Sequence, residues 1–333
     1  MKKHLWGILY GLLLIGFTAF VMLDTFVIPK AYSVVETEIT SETSATEAVK
    51  VTESTETEKP EKNKKPSKGE KAKNKDKTDT TETEMLSDNE KLSATSYKDE
   101  NIKITITQYR EYDSDIYVAD VILSSPEYLK TALAKNTYGK NVTEKTSEIA
   151  KNNNSIFAVN GDYYGAQNKG YVVRGGVLYR NTASKDNEDL VIYNDGSFEI
   201  ISENEITAEE LLENGAKEVL SFGPALVEDG EIAVDENDEV SKAKASNPRT
   251  AIGMIDELHY VFVVSDGRTD ESKGLSLYQL ARFIQGLDTK IAYNLDGGGS
   301  STMYFNGEII NNPTTSGNSI KERSVSDIVY IGY

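Results

Sequence analysis

Three glycine-bearing runs in this chain begin where an apolar stretch stops. Phe157–Ala158–Val159 leads into Asn160–Gly161–Asp162–Tyr163–Tyr164, and Val261–Phe262–Val263–Val264 leads into Ser265–Asp266–Gly267–Arg268. Ile291–Ala292–Tyr293 leads into Asn294–Leu295–Asp296–Gly297–Gly298–Gly299–Ser300–Ser301. Each run sets an aspartate beside glycine at the end of a strand. A rigid strand fixes such a carboxylate in space, and glycine lets backbone approach a ligand closely. Three successive glycines in a strand-like stretch cost chain entropy, so bare connection explains Gly297–Gly299 poorly. Their amides, with the Ser300 and Ser301 hydroxyls, suit a nest for an anionic oxygen. The plainer alternative is a bulge or tight turn capped by Asp296. A nucleotide P-loop is excluded, because no Gly-Lys-Ser/Thr follows.

Arginines add to this chemistry. Arg174 precedes Gly175–Gly176, Arg249 follows Asn247–Pro248, Arg268 follows Asp266–Gly267, and Arg323 stands near the C-terminal end. A guanidinium fork binds phosphate oxygens bidentately and stays charged. Paired with the aspartates, the same arginines would be structural ion pairs instead. Other chemistries are removed by composition. The chain has no cysteine and only His4 and His259 among 333 residues. No disulfide, thiol nucleophile or histidine-rich metal site can form. A formal net charge of −18 disfavours nucleic acid as a partner. His259, in an apolar strand, reads as a packed or edge histidine. Asp235–Glu236–Asn237–Asp238–Glu239 lacks the glycine and glutamate spacing of a calcium loop and reads as a solvated hairpin.

The elements that position these residues are short. Lys103–Thr107 and Tyr117–Val121 alternate as half-buried strands do, while Ser155–Val159 and Tyr260–Val264 are near-continuous apolar runs of central strands. Helical spacing places Leu277, Leu280, Ala281 and Ile284 on one face behind a Ser276 N-cap, and a second helix fits Ala208–Asn214 before Gly215. The expected fold is α+β, a mixed or antiparallel β-sheet core with flanking helices, over residues 99–333. Two unlike segments precede it. Lys2 and Lys3 stand ahead of an uncharged run from His4 to Leu23, long enough to span a bilayer at about residues 5–28. Residues 1–35 therefore read as a membrane anchor, with a cleaved signal at Ala31–Tyr32–Ser33 as the alternative. The lysines ahead of the span place the N-terminus in the cytoplasm and everything after Pro29 outside. Residues 36–98, dominated by Glu, Thr, Ser and Lys, read as a disordered low-complexity linker.

Taken together, these motifs resemble the phosphodiester glycosidase family, across most of residues 99–333. The resemblance rests on Asn160–Gly161–Asp162–Tyr163–Tyr164, Arg174–Gly175–Gly176, Asn247–Pro248–Arg249–Thr250–Ala251–Ile252–Gly253, Asp266–Gly267–Arg268, Gly274–Leu275–Ser276–Leu277 and Asn294 through Met303, in the family's order. Asn312–Pro313 and Arg323–Ser324–Val325–Ser326–Asp327 resemble its closing elements. The resemblance implies a hydrolase that cleaves a sugar from a sugar-1-phosphodiester, on cell-surface or exopolysaccharide glycans. Asp162 and Asp296 are then the expected catalytic carboxylates, with Arg268 absorbing charge. Asn160, Arg174, Arg249, Asp266, Asn294, Gly297, Gly298, Ser300 and Ser301 are expected to hold substrate. No cofactor is expected to be required. A Ca²⁺ or Mg²⁺ ion on Asp162, Asp266 and Asp296 is the reading for a metal-assisted phosphodiesterase. The other rival is a non-catalytic wall-polymer or exopolysaccharide binding module. The expected partners are the glycan substrate and, through the N-terminal helix, the membrane.

Overall fold

The computed structural model describes residues 2–32, 94–185, 187–235, 246–316 and 319–333. The linker read over residues 36–98 lies outside them up to residue 93, as does most of the hairpin read at Asp235–Glu239. Four α-helices are described: α1 Lys2–Phe26, α2 Thr146–Asn152, α3 Ala208–Glu213 and α4 Leu277–Gln285. Every strand pairing is antiparallel, which makes this the antiparallel form of the expected α+β class.

Two sheets carry the motifs. An eight-stranded sheet runs in the order Glu231–Ile232, Ala225–Glu228, Ile291–Leu295, Arg249–Asp256, His259–Ser265, Ser114–Leu123, Ile102–Glu111, Ala94–Lys98. It thus takes in residues ahead of position 99. A five-stranded sheet runs Glu308–Ile309, Met303–Phe305, Phe157–Asn160, Asp327–Ile331, Leu129–Leu133. Their inner faces share one apolar core, in which Phe157 and Val159 meet Ile252, Phe262 and Tyr293. The rings of Phe157 and Phe262 lie 4.9 Å apart, centroid to centroid. These strands are apolar on both faces because both are covered: α4 packs on the outer face of the larger sheet and α2 on that of the smaller. A third sheet, ordered Val177–Arg180, Val172–Arg174, Ala216–Leu220, Glu188–Tyr193, Phe198–Ser202, is backed by α3.

Helices α3 and α4 begin where the sequence places them. In α4 the Ser276 hydroxyl accepts from the Gln279 amide while the Gln279 side chain accepts from the Ser276 amide, a reciprocal cap. Thr207 and Glu210 repeat the device on α3. His259 sits at the edge of its strand, beside Asp120 at 3.2 Å.

Candidate functional site

The buried strand Ile291–Leu295 delivers the chain into a single 3₁₀ turn at Gly298–Ser300. Each glycine there faces something close. A Cβ on Gly297 would stand 2.9 Å from the Pro248 carbonyl oxygen, one on Gly298 2.8 Å from Arg268 Nη2, and one on Gly299 2.4 Å from Thr315 Oγ1. Gly298 also has φ +63°, a conformation that side chains disfavour. Close approach thus accounts for the triplet. Part of the expected nest is taken up by the backbone: the amides of Gly298, Ser300 and Ser301 donate to the carbonyls of Pro248, Gly297 and Gly298.

What the turn presents instead is a carboxylate. Asp296 Oδ2 accepts from the Ser300 hydroxyl and from Arg323 Nη2, the latter at 3.0 Å. Arg323 Nε donates to Ser300 Oγ at 3.0 Å, so guanidinium, hydroxyl and carboxylate form a closed triangle. Burial pushes the Asp296 carboxyl above its ordinary range, opposed by the Ser300 hydrogen bond and the Arg323 charge. Behind it, Asn160 Nδ2 donates to the Asp296 carbonyl at 2.6 Å, and the Asp296 amide donates to the Gly161 carbonyl at 3.2 Å. Asn160 Oδ1 accepts from Thr250 Oγ1 and the Thr302 amide, which fixes its amide orientation. Asp296, Ser300 and Arg323 line a cavity of about 220 Å³, together with Asn141, Thr143, Tyr163 and Ser326. Tyr163, 45% exposed, offers a ring to whatever enters.

Asp162 lies elsewhere. Its side chain is fully buried, with Oδ2 2.8 Å from Arg174 Nη2. Oδ1 accepts from the Tyr164 amide and Oδ2 from the Ser221 amide. The same Arg174 nitrogen is 2.7 Å from Asp327 Oδ2, so one guanidinium serves two buried carboxylates. Burial opposes the Arg174 charge, but Asp162 and Asp327 outweigh it and raise its pKa. Burial and the neighbouring Asp162 charge push the Asp327 carboxyl up, opposed by the Arg174 guanidinium. A Cβ on Gly161 would stand 2.4 Å from Asp327 Oδ1, which is why glycine precedes Asp162. The triad is not among the residues lining the Asp296 cavity.

The remaining expected residues divide by burial. Arg268, exposed and at φ +64°, donates from Nε and Nη2 to Asn247 Oδ1 and from Nη1 to the Thr315 carbonyl, beside Gly298. Arg249 is buried and donates from Nε to the Leu275 carbonyl. Asp266 is buried, raised by that burial, and accepts from Asn311, Asn312 and Tyr117. Asn294 donates to the Gly223 carbonyl, and Ser301 is buried with no hydrogen-bond partner for its hydroxyl. Among the described residues no group of three or more Asp, Glu or His is gathered for a metal ion, so Asp162, Asp266 and Asp296 do not form one ligand set.

Of the expected residues, Asp296 and Ser300 thus meet on the cavity. Arg323, noted in sequence but not placed in the site, completes it. Its signals were its guanidinium and the Arg323–Asp327 run, and nothing local ties it to an aspartate 27 positions earlier. Asn141, Thr143 and Tyr163 carried no signal beyond Tyr163's place after Asp162.

A family model described as phosphodiester glycosidase matches residues 153–332. The SPbeta prophage-derived protein YomE of Bacillus subtilis (strain 168) is 28% identical over 201 residues, which covers 59% of this chain and 31% of that protein. The mouse N-acetylglucosamine-1-phosphodiester alpha-N-acetylglucosaminidase is 31% identical over 159 residues, 44% of this chain and 30% of that protein. The match therefore spans about a third of the length of these curated relatives. The zebrafish enzyme of the same name, solved as a catalytic domain auto-inhibited by its pro-peptide, superposes with a TM-score of 0.57 at 23% identity, covering 74% of this chain and 88% of that one. A hypothetical protein from Synechocystis superposes with a TM-score of 0.56 at 14% identity, covering 73% and 64%. These two likenesses establish the fold.

Proposed function

The chain belongs to the phosphodiester glycosidase family, and from that premise we propose that it hydrolyses a glycosyl-1-phosphodiester at the cavity bounded by Asp296 and Arg323. The observation that carries this reading is the Asp296–Ser300–Arg323 triangle on an open cavity wall: a carboxylate and a guanidinium within reach of one ligand. The bond that breaks is the one between the anomeric carbon and the bridging oxygen. Its electrons leave with the phosphomonoester, and water supplies hydroxyl to the sugar and a proton to solvent. The phosphate departs as an anion, so little general-acid help is needed. Arg323, 40% exposed on its side chain, is placed to neutralise the charge that develops on it.

Asp296 then takes the proton of the attacking water or supports the oxocarbenium-like carbon. A carboxylate raised above its ordinary range by burial is the better base, and the Ser300 hydrogen bond and the Arg323 charge limit that rise. Tyr163 gives the sugar ring a face to lie against. Asn160 positions Asp296 through its backbone, and Arg268 braces the glycine turn. Asp162 acts one layer down, through Arg174 and Asp327. N-Acetylglucosamine is the sugar to try first, from the mouse enzyme's name. The setting proposed is extracytoplasmic, at a cell surface or on exopolysaccharide. Lys2 and Lys3 at the start of helix α1, ahead of its long apolar stretch, support that topology.

The test is product analysis on a methyl ester of alpha-N-acetylglucosamine-1-phosphate. Free sugar with methyl phosphate is the expected result. Sugar-1-phosphate with methanol would transfer the chain to the phosphodiesterases, and saturable binding without turnover would make it a binding module.

A further inference from the structure

The geometry points to a substrate carried by the bilayer itself, a glycosyl phosphodiester on a lipid, because the exit of the apolar helix is docked onto the wall of the cleft. This inference rests on the Asp296 cavity being the reaction site. Helix α1 ends at Phe26, and its apolar side chains are turned outward: Leu13 is 70% exposed and Phe17 62%. Four residues later the chain is already part of the domain. Lys30 and Ala31 pair antiparallel with Lys140 and Gly139. The Tyr32 amide donates to the Tyr138 carbonyl at 2.9 Å, and the two rings pack 5.9 Å apart. A Cβ on Gly139 would come within 2.0 Å of the Lys30 carbonyl oxygen, so this approach depends on glycine. Lys30 Nζ reaches back to Asp24 at 2.7 Å and ties the strand to the helix.

Asn141 makes the decisive contact. At φ +56°, its Nδ2 donates to the carbonyls of Thr25 and Ile28, at 3.2 and 3.3 Å, the backbone acceptors that a helix end leaves open. The same residue lines the Asp296 cavity, and its amide bonds the carbonyl of Gly165, a second lining residue. One side chain therefore separates the helix end from the cleft. The 25 residues of α1 rise about 37 Å at about 1.5 Å each, against a hydrocarbon core of about 30 Å. Lys2 and Lys3 stand at the opposite end of that helix, and the apolar span read from sequence closes at Ile28, whose carbonyl Asn141 holds. The cleft thus stands at the depth where a lipid-borne phosphodiester carries its phosphate. Residues 36–98, read from sequence as a spacer, do not set that distance, because the chain touches the domain before reaching them.

The test uses the full chain in phosphatidylcholine–phosphatidylglycerol liposomes and two alpha-N-acetylglucosamine-1-phosphodiesters, one with a methyl and one with a long branched alkyl ester. Wild type should favour the membrane-borne substrate in kcat/KM by about tenfold or more, the scale of a local-concentration gain. Tyr32→Pro removes the amide donor and the ring contact and touches no cavity residue. It should erase that preference and leave methyl-ester turnover unchanged. Independently, Lys30→Cys with Lys140→Cys places the chain's only two thiols in register, and mild oxidation in liposomes should join them within one chain. Methyl-ester turnover with no lipid preference, or a preference that survives Tyr32→Pro, overturns the inference and leaves the site reading standing. Thiols that do not join overturn the docking itself. No turnover of either substrate overturns the site reading, and this inference with it.

Discussion

Asp296 and Asp162 are both aspartates beside glycine at strand ends, yet their surroundings ask different things of them. Asp296 opens on a cavity and shares one oxygen, Oδ2, with a half-exposed arginine and a hydroxyl, whereas both Asp162 oxygens are committed to buried donors. Asp296→Asn should therefore lower kcat by about a thousandfold or more, the loss typical of an essential charged group. Its melting temperature should stay near wild type, a pairing read by kinetics and calorimetry on the same preparation. The pH profile carries a second expectation. Burial raises the Asp296 carboxyl, so the acid limb of kcat/KM should have its midpoint above the ordinary aspartate value of about 3.9. Arg323 opposes that rise, so in Arg323→Gln the limb should move to higher pH, beyond any fall in the plateau. A limb that stays put in the variant would separate Arg323 from the titration. Sequence alone placed the two aspartates on equal footing, because residue type and glycine neighbours do not report which carboxylate meets solvent.

Among the elements, the strands and helices were largely legible. Apolar runs at Phe157–Asn160 and His259–Ser265 are central strands, and the Ser276 cap opens α4, because alternation, burial and capping are local properties. Their convergence was not. Arg174 ends a strand of the third sheet, Asp327 begins one in the five-stranded sheet, and Asp162 follows its neighbour, so one guanidinium fastens two sheets. The partners stand 12 and 153 positions from Arg174, and no local pattern signals such a pairing. Likewise no local pattern shows that Pro248, Arg268 and Thr315 stand so close to the glycine triplet that a side chain there would collide. Arg174→Met should destabilise the domain by about 3–5 kcal/mol, because two buried carboxylates lose their counter-charge. Denaturant unfolding would measure this, and a loss under about 1 kcal/mol would mean that water or rearrangement replaces the guanidinium.

For the whole molecule, the sheets and their shared core define one body from Ala94 to Tyr333, while α1 keeps its apolar surface outside it. A fragment starting at Ala94 should fold alone, and limited proteolysis of the full chain should release a stable product beginning within the residues before Ala94. Cuts scattered through the strands at low protease would contradict that. Rupture of the bond between the anomeric carbon and its oxygen is the reaction proposed for this body. It is tested most directly by hydrolysis of the methyl phosphodiester in ¹⁸O-enriched water, with mass spectrometry of both products. Label on the sugar's anomeric hydroxyl and none in methyl phosphate is the expected result; label in the phosphate, meaning attack at phosphorus, would overturn it.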